Sequence, residues 1–209
     1  MTPILHIGNK RLSTWSLRPW LALKKANIAF QENIIPLDQE DTRDTLLALS
    51  PAATVPVLET AGRNIWDSLA ICEWAAEQVP SLWPEDPALR ATARSITASM
   101  HSGFSALRNE LGMDLKREKA AKDMSVACWR DIETIQALWA HVKTGEGDFL
   151  FGDWSIADAF FTPVATRFDT YQVPLSTDAA AYVETLLSDP VYKDWHTAAL
   201  EETWDAPFH

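Results

Sequence analysis

The stretch Val55-Pro56-Val57-Leu58-Glu59-Thr60-Ala61-Gly62-Arg63-Asn64-Ile65-Trp66-Asp67-Ser68-Leu69-Ala70 decides the fold. Residues 55–59 read as a strand, Gly62 as the turn, Asn64 and Ile65 as the centre of a second strand. Asp67 and Ser68 then open a helix over 67–78, an acid and a hydroxyl being the usual first-turn residues. Two strands joined by so short a turn are antiparallel neighbours. Upstream the pattern differs. Residues 4–7 are a short apolar strand, 17–26 a helix, 30–35 a second strand and 42–49 a short helix. Pro19 is tolerated in a first turn, which predicts a helix start near Ser16, with Ser16 as its cap. The order is β-α-β-α-β-β-α. Helical crossovers join the early strands and a hairpin joins the last pair, so the sheet is mixed. That is the order of a thioredoxin-like α/β domain.

Downstream the pattern breaks over 79–87, where Pro80, Pro84 and Pro87 fall among Ser, Glu and Asp. Beyond it strand-like alternation stops. Helical spacing is read over 88–111, 119–143, 155–171, 178–187 and 190–201, interrupted at Gly112 and at Gly145-Glu146-Gly147-Asp148. The predicted organisation is a thioredoxin-like domain over 1–80, a linker over 81–87 and an all-α helical bundle over 88–209.

Composition narrows the function. The chain has 209 residues and a formal charge of −11, with 29 acidic against 18 basic residues. Such a surface repels phosphate backbones and argues against nucleic acid as a partner. No apolar run approaches the roughly 18 to 20 residues of a membrane span, and the start shows no basic leader, so the expectation is a cytoplasmic protein off the membrane. Cys72 and Cys128 form no CxxC pair and sit at no metal-ligand spacing, so no metal is expected and Cys72 reads as a buried free thiol. The ten tryptophans supply core and pocket walls.

Three motifs carry chemistry. In Leu12-Ser13-Thr14-Trp15-Ser16-Leu17-Arg18-Pro19, one hydroxyl suffices for a helix cap and the others can face the crevice at the strand's carboxyl end, where α/β folds bind ligands. In Ser50-Pro51-Ala52-Ala53-Thr54-Val55-Pro56-Val57-Leu58, a cis bond before Pro56 would turn the Val55 N–H and C=O toward an extended peptide. In Asp67-Ser68, the hydroxyl and the helix N-terminus suit a carboxylate, and Asp67 suits an ammonium close to it. The ordinary roles of the three motifs are a cap, a strand entry and a first-turn acid.

Taken in this order and spacing, Ser13-Thr14-Trp15-Ser16, Ser50-Pro51 with Val55-Pro56-Val57-Leu58, and Asp67-Ser68-Leu69-Ala70-Ile71 resemble the glutathione transferase superfamily. So does Phe149-Leu150-Phe151-Gly152-Asp153-Trp154-Ser155-Ile156-Ala157-Asp158, which looks like its buried capping box, with Asp158 reaching back to the Ser155 N–H. The loop is most similar to the serine-type bacterial and zeta-like branch, and the stretches Trp15 to Trp20 and Met100 to Phe104 to an uncharacterised bacterial subgroup.

The resemblance implies a glutathione site without metal. Ser13, with Thr14 and Ser16 as fallbacks, would donate to the glutathione sulfur and favour the nucleophilic thiolate. Trp15, Thr54, Val55, Pro56, Asp67 and Ser68 would bind glutathione, with Pro56 cis. Met100, Phe104, Leu107 and Arg108 would line the second-substrate pocket. Met100 and Leu107 equally fit a core stripe, and Arg108 either binds an acidic substrate or pairs with Glu110 or Asp114. His101 has no assigned role. Two departures stand out: Ala53-Thr54 where the family often has Gly-Lys or Gly-Gln, and Trp15 where the zeta-like branch has Cys. The implied activity is transfer of glutathione to a small hydrophobic electrophile, in detoxification, by a homodimer. The alternatives are a glutathione-dependent maleylacetoacetate-type isomerase or peroxidase, and a non-catalytic glutathione-binding scaffold.

Overall fold

The computed structural model describes residues 2–144 and 146–204. Met1, Gly145 in the predicted interruption and the last five residues of the predicted helical domain lie outside it. Four strands, β1 (Ile4–Ile7), β2 (Gln31–Ile34), β3 (Val57–Thr60) and β4 (Arg63–Ile65), form one sheet in the order β2-β1-β3-β4. β1 runs parallel to β2 and antiparallel to β3, and β3–β4 is the hairpin read from the sequence. Helices α1 (Thr14–Lys25), α2 (Thr42–Leu49) and α3 (Ser68–Gln78) complete the thioredoxin-like order.

α1 starts two residues earlier than Pro19 suggested. Ser13, not Ser16, is its N-cap, and Pro19 lies inside the helix. The helix tolerates it because this helix is clamped on its faces: Leu17, Arg18, Trp20, Leu21, Ala22 and Leu23 are all buried. β3 also begins two residues later than predicted, which leaves Val55 and Pro56 outside the ladder.

After a 3₁₀ turn at Pro80–Leu82, the remaining helices are α4 (Pro87–Ser102), α5 (Ser105–Glu110), α6 (Val126–Val142), α7 (Ile156–Thr170), α8 (Thr177–Ser188) and α9 (Pro190–Glu201). The single helix predicted over 88–111 is two helices. At the break, Phe104 is left-handed, with φ of 61°, and a Cβ on Gly103 would lie 2.8 Å from the Ser99 carbonyl oxygen. The helix predicted from 119 begins at Val126, because Ser125 caps it and Glu110 accepts from the Ser125 N–H (2.9 Å) and O–H (2.5 Å).

α7 is the central post. All but one of its residues are buried, and it packs on α1, α4 and α8. Its N-terminus carries the predicted capping box. The buried Asp158 carboxylate accepts from Ser155 N–H (2.8 Å), Ser155 O–H (3.0 Å), Leu150 N–H (3.3 Å) and Tyr182 O–H (2.7 Å). Because α7 packs on α1, the helical half supports the loop that leads into α1 from below. No helix among the described residues is long and apolar enough to cross a membrane.

Candidate functional site

A cavity of about 420 Å³ opens where the first turn of α1, the β3 entry and the α3 N-terminus converge. Its lining includes Trp15, Thr54, Val55, Pro56, Asp67 and Ser68, with Leu37, Leu46 and Ala53. All six residues selected for glutathione binding are therefore brought together. A larger cavity, about 510 Å³, lies between α6 and α8 and contains none of the selected residues.

Three features make the smaller cavity chemically specific. The Val55–Pro56 bond is cis, and Val55 belongs to no strand, so among the described residues its backbone forms no ladder pair. The Ser68 hydroxyl is buried and has no hydrogen-bond partner among the described residues. An unsatisfied buried hydroxyl costs about 1–3 kcal/mol, which a polar ligand group would recover. Asp67 caps α3: its Oδ1 accepts from the Leu69 (3.0 Å) and Ala70 (3.2 Å) N–H groups, which leaves Oδ2 for other work.

The hydroxyl loop has an internal order. Ser16 is fully buried; its Oγ accepts from the Gly8 N–H at 3.0 Å and lies 2.8 Å from Ser13 Oγ. Ser13 Oγ also accepts from the Ser16 N–H at 3.3 Å. A separation of 2.8 Å between two hydroxyl oxygens serves a proton from either side. Ser13 and Thr14 are buried and, like Ser16, do not line the cavity; Trp15, 37% exposed, does.

Beside Trp15 stand two arginines: Arg108, which the sequence reading selected for the second pocket, and Arg18, which it did not assign. The Arg18 guanidinium is fully buried, sits 4.4 Å from the Trp15 ring centroid and 4.6 Å from that of Phe160, and has no hydrogen-bond partner among the described residues. Burial, then the nearby Arg108 and Arg167, push its pKa well below the ordinary value. Arg108 lies 4.9 Å from the Trp15 ring. It pairs with neither Glu110 nor Asp114; it donates to the carbonyls of Gly103 (2.9 Å), His101 (3.4 Å) and Met100. Met100 and Leu107 are fully buried core residues, and Phe104 is packed partly against the core. Of the four residues selected for the second pocket, Arg108 is the one beside the cavity wall.

His101 is the other omission. Its Nε2 lies 2.9 Å from Asp67 Oδ2, and its ring meets Trp15 edge-on at 5.4 Å. It stands in the last turn of α4 and reaches the head of α3 from the helical half. Cys72 is buried and free, and burial pushes its thiol up, so it is no nucleophile.

A four-stranded mixed sheet with a cis-proline entry, seated on an all-helical half, is the architecture of glutathione-binding transferases. Comparisons agree. Residues 12–78 match the profile described as "Glutathione S-transferase, N-terminal domain". A "Probable maleylacetoacetate isomerase" of Caenorhabditis elegans is 32% identical over 178 residues, which cover 83% of this chain and 82% of that protein. A "Maleylpyruvate isomerase" of Ralstonia sp is 26% identical, covering 75% and 78%. Among solved structures, a glutathione transferase homolog from Burkholderia gl BGR1 with bound glutathione superposes with a TM-score of 0.76 at 22% identity, covering 97% of this chain and all of that one. The holo structure of a zeta-class maleyl pyruvate isomerase gives 0.75 at 24% identity, covering 96% and 100%. The chain belongs to the glutathione S-transferase superfamily. Within it, the isomerase relatives set the chain in the zeta-like branch.

Proposed function

We propose that the protein is a glutathione-dependent enzyme, and that its cavity holds glutathione as a co-substrate. The observation that carries this is the pairing of an orphaned, buried Ser68 hydroxyl with an unladdered Val55 backbone on the same cavity wall. In this reading the cysteinyl backbone of glutathione pairs with Val55 as an added strand. The γ-glutamyl carboxylate sits on Ser68 and the α3 N-terminus, and its ammonium on Asp67 Oδ2. Thr54, in place of the longer side chains, leaves the glycine end less tightly held.

The sulfur then lies beside the β1–α1 loop. Ser16 turns its proton to Ser13 Oγ, and Ser13 donates its own to the sulfur. Thr14 is the second choice. Ser16 is a positioning residue: it is fully buried and acts through its contact with Ser13 Oγ. A thiol pKa lowered by about two units corresponds to roughly 2.7 kcal/mol of preference for thiolate. One hydroxyl with an α1 N-terminus behind it is of that order.

The reaction best supported is cis–trans isomerisation of a small maleyl-type acid, on the names of the relatives and on Arg108 beside Trp15. The thiolate adds to one alkene carbon, the resulting single bond rotates, and the same thiolate leaves. Glutathione is not consumed. The second reading, net transfer to a small hydrophobic electrophile, is favoured by Trp15, whose exposed face suits an apolar partner. Turnover of a maleyl-type diketo acid with catalytic glutathione supports the first. Stoichiometric loss of glutathione with an aryl halide supports the second. Binding without either leaves a scaffold. A homodimer in the cytoplasm belongs to the same proposal, and sedimentation tests its assembly.

A further inference from the structure

The α3 cap places one Asp67 oxygen on helix N–H groups and leaves the other to a side chain from the opposite half of the molecule. His101 is in the last turn of α4, and its Nε2 lies 2.9 Å from Asp67 Oδ2. Its ring is held edge-on by Trp15 at 5.4 Å and tilted on Phe160 at 5.9 Å, so it has little freedom to swing away. Its Nδ1 is buried and has no partner among the described residues.

We propose that His101 is the positioning residue for amino-group recognition: as a neutral donor it fixes the Asp67 carboxylate toward the ligand's ammonium without cancelling its charge. The inference rests on the glutathione reading above. It follows from the orphaned Nδ1. A second proton there would be buried with no acceptor, so the ring is held as the neutral Nε2–H tautomer. A hydrogen bond from a neutral imidazole leaves the carboxylate its full charge, whereas an imidazolium would form an internal ion pair and compete with the ammonium.

The charged groups facing the ring act in the same sense. Burial lowers the His101 pKa; Arg18 from α1 and Arg108 from α5 lower it further, against Asp67, which raises it. Arg18 and Arg108 thus add to burial, the largest cause, in favouring a neutral His101 against the pull of Asp67.

The test compares glutathione with glutaryl-cysteinylglycine, the same tripeptide lacking the α-amino group, by titration calorimetry from pH 7.5 to 4.5. The wild type is expected to prefer glutathione by about tenfold or more at the neutral end, the ratio for one charge-assisted hydrogen bond. The preference shrinks as the pH falls below the ordinary imidazole value of about 6.5. His101→Gln, whose amide supplies a neutral donor at a similar reach, keeps the preference and loses its pH dependence. His101→Leu lowers the preference several-fold at every pH, with binding of the analogue unchanged. An unaltered ratio in His101→Leu, or a His101→Gln ratio that still falls with pH, overturns the inference while the glutathione reading stands. Absence of binding of either tripeptide to the wild type overturns both.

Discussion

At the scale of single residues, the hydroxyls of the β1–α1 loop divide by what each touches. Ser16 Oγ accepts from the Gly8 N–H, and both atoms are buried. Ser16→Ala therefore leaves a buried amide unsatisfied and is expected to cost about 1–3 kcal/mol, read by urea denaturation. Ser13→Ala loses a cap and the partner of Ser16 Oγ, about 1–3 kcal/mol, and it should raise the thiol pKa of bound glutathione by about one unit or more. Thiolate absorbance against pH measures this, and an unmoved titration in Ser13→Ala would transfer the role to Thr14. Arg18 makes the opposite trade. Its buried cation faces two like charges and has no hydrogen-bonded partner among the described residues. Replacing such a charge by an apolar side chain of similar volume is often neutral or stabilising by about 1–4 kcal/mol. Arg18→Met is expected to raise the unfolding midpoint while weakening the control of His101. A lowered midpoint would show that the guanidinium holds the fold.

At the scale of elements, the capping box of α7 is the feature whose sequence signature and structure coincide. Ser155 and Asp158 stand three apart, and that spacing alone brings carboxylate to N–H. The spacing does not reveal that Leu150 and Tyr182 also donate to Asp158. Asp158→Ala orphans donors from three separate segments, and the expected cost is at least about 3 kcal/mol, seen as loss of the cooperative transition at moderate urea. The strand–helix order was legible for the same reason as the box: it depends on local period and turn chemistry. The elements misread are those whose ends depend on a cap or a backbone conformation that the hydrophobic period does not show. α1 begins at Thr14 because Ser13 caps it, although Pro19 argued for a later start. The α4–α5 break depends on Phe104 adopting a left-handed backbone, and α6 waits for a cap anchored by Glu110 from another helix. That Trp15, Thr54, Val55, Pro56, Asp67 and Ser68 converge on one cavity was legible through motif order. His101 and Arg18 were not, because each acquires its meaning from contacts across the two halves.

At the scale of the molecule, the two halves meet where His101 of α4 reaches Asp67 at the head of α3, and again at the β1–α1 loop. Below pH 6.5 the first junction should weaken. His101 has a lowered pKa in the folded state, so the unfolded chain binds more protons between that value and the ordinary one; stability is full above about 6.5 and falls as the pH drops through the window. The loop itself is fastened from the far end of the chain. Just past α9, the Glu202 carboxylate accepts from the Lys10 (2.6 Å) and Arg11 (3.0 Å) N–H groups. Trp195 of α9 donates to the Lys10 carbonyl at 2.9 Å, Arg11 binds Asp114 through two hydrogen bonds of 2.5 and 2.6 Å, and Leu115 N–H reaches the Arg11 carbonyl at 3.1 Å. Adjacent N–H groups on one carboxylate make a charge-assisted pair that no side chain nearer in sequence supplies. Glu202→Ala should leave the global unfolding midpoint within a few degrees, since the core is untouched, yet raise amide exchange at residues 9–13 by about tenfold or more. The same variant should lower turnover through a raised thiol pKa with glutathione affinity little changed, because Val55, Asp67 and Ser68 lie on other elements. Glu202→Gln, which keeps one acceptor, should fall between. If exchange across 9–13 is the same in Glu202→Ala as in the wild type, the loop holds its shape without the strap, and the carboxyl-terminal segment has no part in placing Ser13.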